Sequence, residues 1–273
     1  AEDFQAGAIQ VLPLADESAL NLQAGLGYTR ADWLLGLNLA RKTRFPTLKD
    51  RYSRRLGTAL PNPQLGEEFA NSVEVSARGD LGETRIALTL FGSWLEDAIV
   101  NVSVPDDPDD PGDPDDPVCT PCTQLQNVGE QRHLGGELSL SRAVPLVGTL
   151  SLDYAYVSID NRGQPDLLPT YTPRHTLRLA SRTPLGSRAR LLLDLNAESG
   201  RYSTSGGPQN PAVRSTAGFG LVNAGVEWDV WRDLRLLVEA GNVTDRLYAV
   251  DEGFPEPGRT YSATLLWRQG ATR

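Results

Sequence analysis

The sequence has no methionine, two cysteines, two histidines and only two lysines, Lys42 and Lys49, among its 26 basic residues. Without an initiator Met, the 273-residue chain is read as a mature, trimmed or excised product. It also lacks the run of about 18 apolar residues that a transmembrane helix needs. Its most apolar stretch, around Trp33 to Ala40, is interrupted by Gly36 and Asn38. Two histidines leave little room for imidazole catalysis. Neither His133 nor His175 stands beside a distinctive Ser motif, so no catalytic triad is expected. No Gly-rich phosphate loop is present either, and Gly206-Gly207 reads as turn chemistry. The 26 basic residues are outnumbered by 35 acidic ones, giving a net charge of −9. Phosphate binding needs Lys and Arg, so no nucleic-acid partner is expected. Hydrophobic residues at 40% exclude a wholly disordered chain.

What is present is a period of two. Leu191, Leu193, Leu195 and Ala197 alternate with Arg190, Asp194, Asn196 and Glu198, with Leu192 the one apolar residue on the polar side. Val222, Ala224, Val226, Trp228 and Val230 alternate with Asn223, Gly225, Glu227 and Asp229. Segments beginning at Leu134, Leu150, Leu234 and Tyr261 behave alike. Successive strand side chains point to opposite faces, so each segment is a strand with one apolar and one polar face. Short polar turns fall at Ala31-Asp32 and near 80–82, 144–147, 184–187 and 231–233. Longer connections, near 13–18, 44–70, 105–127, 161–172, 200–217 and 248–257, alternate strictly with them. About twelve strands follow. An antiparallel up-and-down array of this kind, with short turns at one end and long loops at the other, is how outer-membrane barrels are built. A soluble β-sandwich alternates too. The barrel is preferred because the strands run to about ten residues, enough to cross a bilayer when tilted. Charged residues at strand centres suit a wet lumen. Tyr28, Trp33, Trp94, Tyr154, Tyr156, Trp228, Tyr261 and Trp267 fall near strand ends, where a membrane–water boundary would lie.

Two stretches carry a family resemblance. Arg44 to Tyr52, reading RFPTLKDRY with Pro46, is followed by Asn62-Pro63-Gln64-Leu65-Gly66-Glu67. Near the C-terminus, Asn242-Val243-Thr244-Asp245-Arg246-Leu247-Tyr248 precedes Gly253-Phe254-Pro255-Glu256-Pro257-Gly258-Arg259-Thr260-Tyr261. These motifs, in this order, resemble TonB-dependent outer-membrane receptors, and the last is similar to the cobalamin-receptor-like branch. The resemblance implies an all-β transmembrane barrel with short periplasmic turns and long extracellular loops. It implies Pro46, Asn62, Pro63, Asn242, Asp245, Tyr248, Gly253, Pro257, Gly258 and Arg259 as structural motif positions. Family barrels have 22 strands and a plug. The chain, read as a single partial barrel domain over 1–273, would supply the C-terminal half, with no N-terminal plug domain. It is expected to be a fragment, a shortened homologue or an incomplete gene product. Trp267 is followed by further residues, so the terminal aromatic usual in the family is displaced.

The implied function is uptake of a scarce nutrient, a cobalamin-like or metal-chelate (siderophore) ligand, in the cell outer membrane. The partners would be the TonB energy-coupling system, through the missing N-terminal part, and outer-membrane lipid and lipopolysaccharide. No enzyme activity and no cofactor are expected. The alternative is a small passive porin-like pore. For ligand capture the candidates are Arg51, Tyr52, Arg54 and Arg55, in the basic stretch 41–55. That stretch could instead hold lipopolysaccharide phosphates, or be a solvated loop paired with acidic residues across the barrel mouth. The Pro/Asp-rich run Pro105–Pro117, with seven aspartates, reads as an extended extracellular spacer. A Ca²⁺ site is the sharper alternative there, though the spacing does not fit an EF-hand. Without those seven aspartates the net charge is only −2, so the exclusion of nucleic acid rests on the barrel pattern and the resemblance. Cys119 and Cys122 could form a redox pair or half a zinc site. A second thiol pair and a βαβ context are missing, so a disulfide in an oxidising compartment is the expectation.

Overall fold

The computed structural model describes residues 2–5, 8–11, 18–54, 59–104, 122–205 and 212–268. In chain order the elements begin with β1 (Glu2–Gln5), β2 (Ala8–Val11), β3 (Leu22–Arg30), β4 (Trp33–Arg44), α1 (Leu48–Tyr52), β5 (Ala59–Leu60), β6 (Glu68–Leu81) and β7 (Thr84–Glu96). They continue with β8 (Ile99–Val104), β9 (Cys122–Asn127), β10 (Gln131–Val144), β11 (Gly148–Asn161), β12 (His175–Leu185), β13 (Ala189–Glu198), β14 (Arg201–Ser205) and β15 (Ala212–Thr216). The last are β16 (Phe219–Trp231), β17 (Leu234–Gly241), β18 (Ala249–Asp251), β19 (Phe254–Pro255) and β20 (Thr260–Trp267).

One eleven-stranded sheet dominates, in the order β20-β17-β16-β13-β12-β11-β10-β7-β6-β4-β3. Every pairing in it is antiparallel and joins strands that follow one another along the sheet, which is the up-and-down meander expected. The short turns fall where the polar breaks lie. Ala31, Gly82, Leu146 and Gly186 take positive φ at four of them, which lets the chain reverse within two or three residues. The expectation of about twelve strands matches the main sheet of eleven among the described residues; the first segment forms a separate hairpin, β1 with β2.

Register fixes the faces. Leu37 opposes Val75, which opposes Leu90. Leu88 and Leu138 oppose one another, as do Leu179 and Leu195, and Val226 and Val238. These side chains share one face and stay exposed, several by 40% or more. The opposite face carries Asn38, Glu74, Asp153, Arg178, Asp194 and Glu227. Such a sheet is inside out for water and correct for lipid: the apolar face meets the bilayer and the polar face lines a lumen. On the lipid face the aromatics fall into two girdles. Tyr28, Trp33, Trp228 and Trp267 lie toward the turn end, and Trp94, Tyr154, Tyr156 and Tyr261 toward the loop end.

The buried core lies outside this sheet. Among the described residues, Ala59, Leu65, Ala98 and Val128 are the buried hydrophobic residues, and all belong to the long connections. The two edge strands, β3 and β20, are exposed at every residue.

Candidate functional site

Among the described residues, the five long connections from 45–67 to 242–259 form a continuous belt at one end of the sheet, each tied to the next. Arg44 ends β4, and Pro46 leads into α1, a single helical turn that alternation does not reveal. Its signal is the Thr47-x-x-Asp50 capping box. Asp50 N donates to Thr47 Oγ1 (3.1 Å), and Thr47 N donates to the Asp50 carboxylate (3.0 Å). That backbone hydrogen bond is the largest influence holding the Asp50 carboxyl below the usual carboxylate range, helped by Arg44 and Lys49.

Asn62 then turns the chain. Its Oδ1 accepts from Gln64 N (3.2 Å) while its Nδ2 donates to Leu125 O in β9 (2.9 Å). Asn127 answers from the other side, accepting from Gly66 N (2.8 Å) and donating to Asp97 O (2.8 Å). With the parallel pairing of β5 and β9, these bonds fuse the 45–67 and 97–130 connections. The 162–174 connection joins next, Arg162 N and Gly163 N both donating to Glu130 O (2.8 and 3.1 Å). Tyr171 N donates to Tyr202 O (2.7 Å), bringing in the β14–β15 hairpin. Ser203, fully buried, accepts from Glu252 N (3.0 Å) and closes the chain of contacts onto the 242–259 connection.

This last connection explains the C-terminal motif. Asn242 is buried and takes a positive φ of 49°, and its amide both donates to Arg246 O (2.9 Å) and accepts from Arg246 N (2.8 Å). Asp245 Oδ1 accepts from Arg259 N (2.8 Å). A Cβ on Gly258 would stand 2.6 Å from that same oxygen, so the position takes glycine. Tyr248 packs against Phe219, the rings tilted by 48° with centroids 4.5 Å apart, and burial pushes its phenol up. Gly253 supplies a positive φ of 85° between β18 and β19. Pro257 sits in the same connection.

The candidate capture residues separate. Arg51 is buried and its Nε donates to Leu65 O (3.0 Å), so it braces the belt from within. Tyr52 and Arg54 are half-buried beside it. Arg55, Cys119 and the Pro105–Pro117 run lie outside the described residues, and Cys122 opens β9. Among the described residues no group of three His, Cys, Asp or Glu side chains is arranged to hold a metal ion. His133 engages Gln131 (2.6 Å), and His175 engages the Tyr154 hydroxyl (2.8 Å).

Below the belt, the polar face forms a connected wall. Arg178 Nε donates to Asp194 (2.6 Å), which also accepts from Asn196. Nearer the turns, Arg235 bridges Asp229 (2.6 Å) and Glu227 (3.3 Å), and Arg190 joins Glu227. A hollow of about 460 Å³ lies over Arg178, Asp194, Asn223 and Glu239.

An antiparallel wall with an apolar outer face, a charged inner face and loops interlocked at one end defines a barrel wall of the outer-membrane type. The chain belongs to the TonB dependent receptor-like β-barrel family, whose model matches residues 2–243. Barrels of this family are outer-membrane proteins. No curated protein sequence matches the chain. Among solved structures it is similar to the copper transporter OprC at 19% identity, covering 90% of this chain and 39% of that one with a TM-score of 0.72. It is also similar to the ferric enterobactin receptor PfeA of Pseudomonas aeruginosa (17% identity, 90% and 40% coverage, TM-score 0.69). A third is the FrpB iron transporter of Neisseria meningitidis (14%, 91% and 39%, 0.67). The chain spans about two fifths of the length of these structures.

Proposed function

We propose that this chain is the ligand-capturing barrel wall of a TonB-dependent receptor importing a metal or metal chelate across the outer membrane. The observation that carries this reading is the family match over 2–243, together with a loop belt assembled above a polar wall. The names of the neighbours, which carry copper, ferric enterobactin and iron, support a metal-containing cargo over a cobalamin-like one. Tyr52, Arg54 and Arg55 are the capture residues, with Arg51 as their brace, since guanidinium groups suit anionic chelates. Energy for import would come through the TonB system, as the family match implies.

Whole-cell uptake of labelled copper, ferric catecholate and cobalamin, with and without this protein, tests the reading. Uptake of one metal cargo that disappears when energy coupling is abolished is the expected result. Uptake that survives that loss, with ion conductance in a planar bilayer, would identify a passive pore instead.

A further inference from the structure

The β14–β15 hairpin stands on a break in the wall's ladder. β13 and β16 pair as far as Glu198 and Phe219, and β14 and β15 pair again from Arg201 and Thr216, with no rung between. Below the break the chain is fixed: Ser199 N donates to His175 O (2.9 Å), and His175 N donates to Ser199 Oγ (3.1 Å). At the break Gly200 and Gly218 pass each other with no room for side chains. A Cβ on Gly200 would stand 2.7 Å from Thr216 O, and one on Gly218 would stand 2.7 Å from Glu198 O and 3.0 Å from Gly200 N. The hairpin is therefore joined to the wall through the two residues with the widest choice of backbone angles.

Above the break it is held at two points, one on each flank. Tyr202 O accepts from Tyr171 N (2.7 Å), and Ser203 Oγ accepts from Glu252 N (3.0 Å). Both holds carry a penalty. Tyr171 takes a φ of 62°, where a bulky side chain is strained. Beside Glu252, Asp251 Oδ1 is buried without a hydrogen-bond partner among the described residues. Arg201 keeps only 9% of its side chain exposed and has Glu198 as its ion-pair partner, and desolvating such a pair offsets most of its attraction. Asn242, in the neighbouring connection, has both ends of its amide satisfied. Strain thus gathers where the hairpin touches its neighbours.

We infer that this hairpin is a clasp, shut in the chain without cargo and released as one piece by rotation about Gly200 and Gly218. The strands it joins, β13 and β16, carry Asp194 and Asn223, so release opens the belt over the polar hollow that these residues line. Strain at Tyr171 and the unpaired Asp251 oxygen bias the closed form toward opening, while the wall below stays paired. That the opening admits cargo rests on the receptor reading; the motion itself does not.

Hydrogen exchange on the full chain in lipid vesicles, without cargo, tests the clasp at single amides. Tyr171 N and Glu252 N should exchange at one common rate, about 100-fold faster than amides in the middle of β13. Tyr171→Gly, which removes the φ strain, should slow exchange at Glu252 by about twofold to fivefold. Ser203→Ala, which removes the acceptor on the other flank, should speed exchange at Tyr171 by about threefold to tenfold while the β13–β16 amides keep their protection. Unlinked rates at Tyr171 and Glu252, or rates no faster than in β13, overturn the clasp. So does a Ser203→Ala effect confined to Glu252. Cells that take up no metal through this protein count against the receptor reading alone, and the exchange rates still decide the clasp.

Discussion

The wall and the belt are held together in opposite ways. In the wall, stability is spread over long backbone ladders, and among its described residues the one buried polar side chain is Asn161, at the loop end of β11. In the belt it is concentrated in a few buried polar groups: Asn242, Ser203, Thr216 and Arg51. A wall strand left unpaired in lipid loses every hydrogen bond at once, so no single side chain decides the outcome. A loop exposed to water has no ladder to rely on, and the loss of one buried amide strands several backbone groups. The difference teaches where substitutions should be felt, and each of the following tests it.

The largest effect should come from breaking the wall's sidedness. Leu90 is exposed on the lipid face, in the middle of the sheet. Leu90→Arg should cost about 2–4 kcal/mol, whereas Ser76→Arg on the polar face should cost under about 1 kcal/mol. Denaturant unfolding in lipid vesicles measures both; equal costs would refute the facial assignment.

Next, Asn242→Ala removes a reciprocal pair of hydrogen bonds and places alanine at positive φ. About 2–3 kcal/mol of local stability should vanish, with faster proteolysis across 242–259 and an unchanged β-sheet circular dichroism signal. Unfolding of the whole wall would show the two regions to be one cooperative unit.

Asn127→Ala should separate the 45–67 and 97–130 connections at a cost of about 1–3 kcal/mol. Hydrogen exchange at Gly66, whose amide that side chain accepts, is the direct readout.

The smallest effect should be at α1. The Asp50 carboxyl is depressed in the folded state, so its contribution is present above the ordinary carboxylate range and lost as pH falls through its lowered pKa. Asp50→Asn should cost about 0.5–1 kcal/mol at neutral pH and nearly nothing at strongly acidic pH. Protease sensitivity near 45–54, followed against pH, should show that convergence.

The same contrast sets how much could be read from the sequence. Wall strands announce themselves because burial on one face forces strict alternation, so Leu191–Leu193–Leu195 and Val222–Ala224–Val226 give both strand and face. The turns were legible in Ala31-Asp32 and Gly82. The belt was legible only through motif resemblance at Asn62 and Asn242, since a side chain bonding to a distant backbone leaves no period. Arg51 shows the cost: basic composition places it among capture residues, whereas the fold buries it against Leu65 O.

The exposed edges β3 and β20 carry a consequence of parity. Eleven antiparallel strands alternate in direction, so the first and last run the same way, both from the loop end toward the turn end. Curling this sheet until its edges met would set them side by side in parallel, with slanted bonds and a mismatched register. An all-antiparallel ring therefore requires an odd number of intervening strands, the first and last of them both climbing toward the loops. Until such strands are seated, each edge offers a column of unspent amides and carbonyls that a bilayer cannot satisfy.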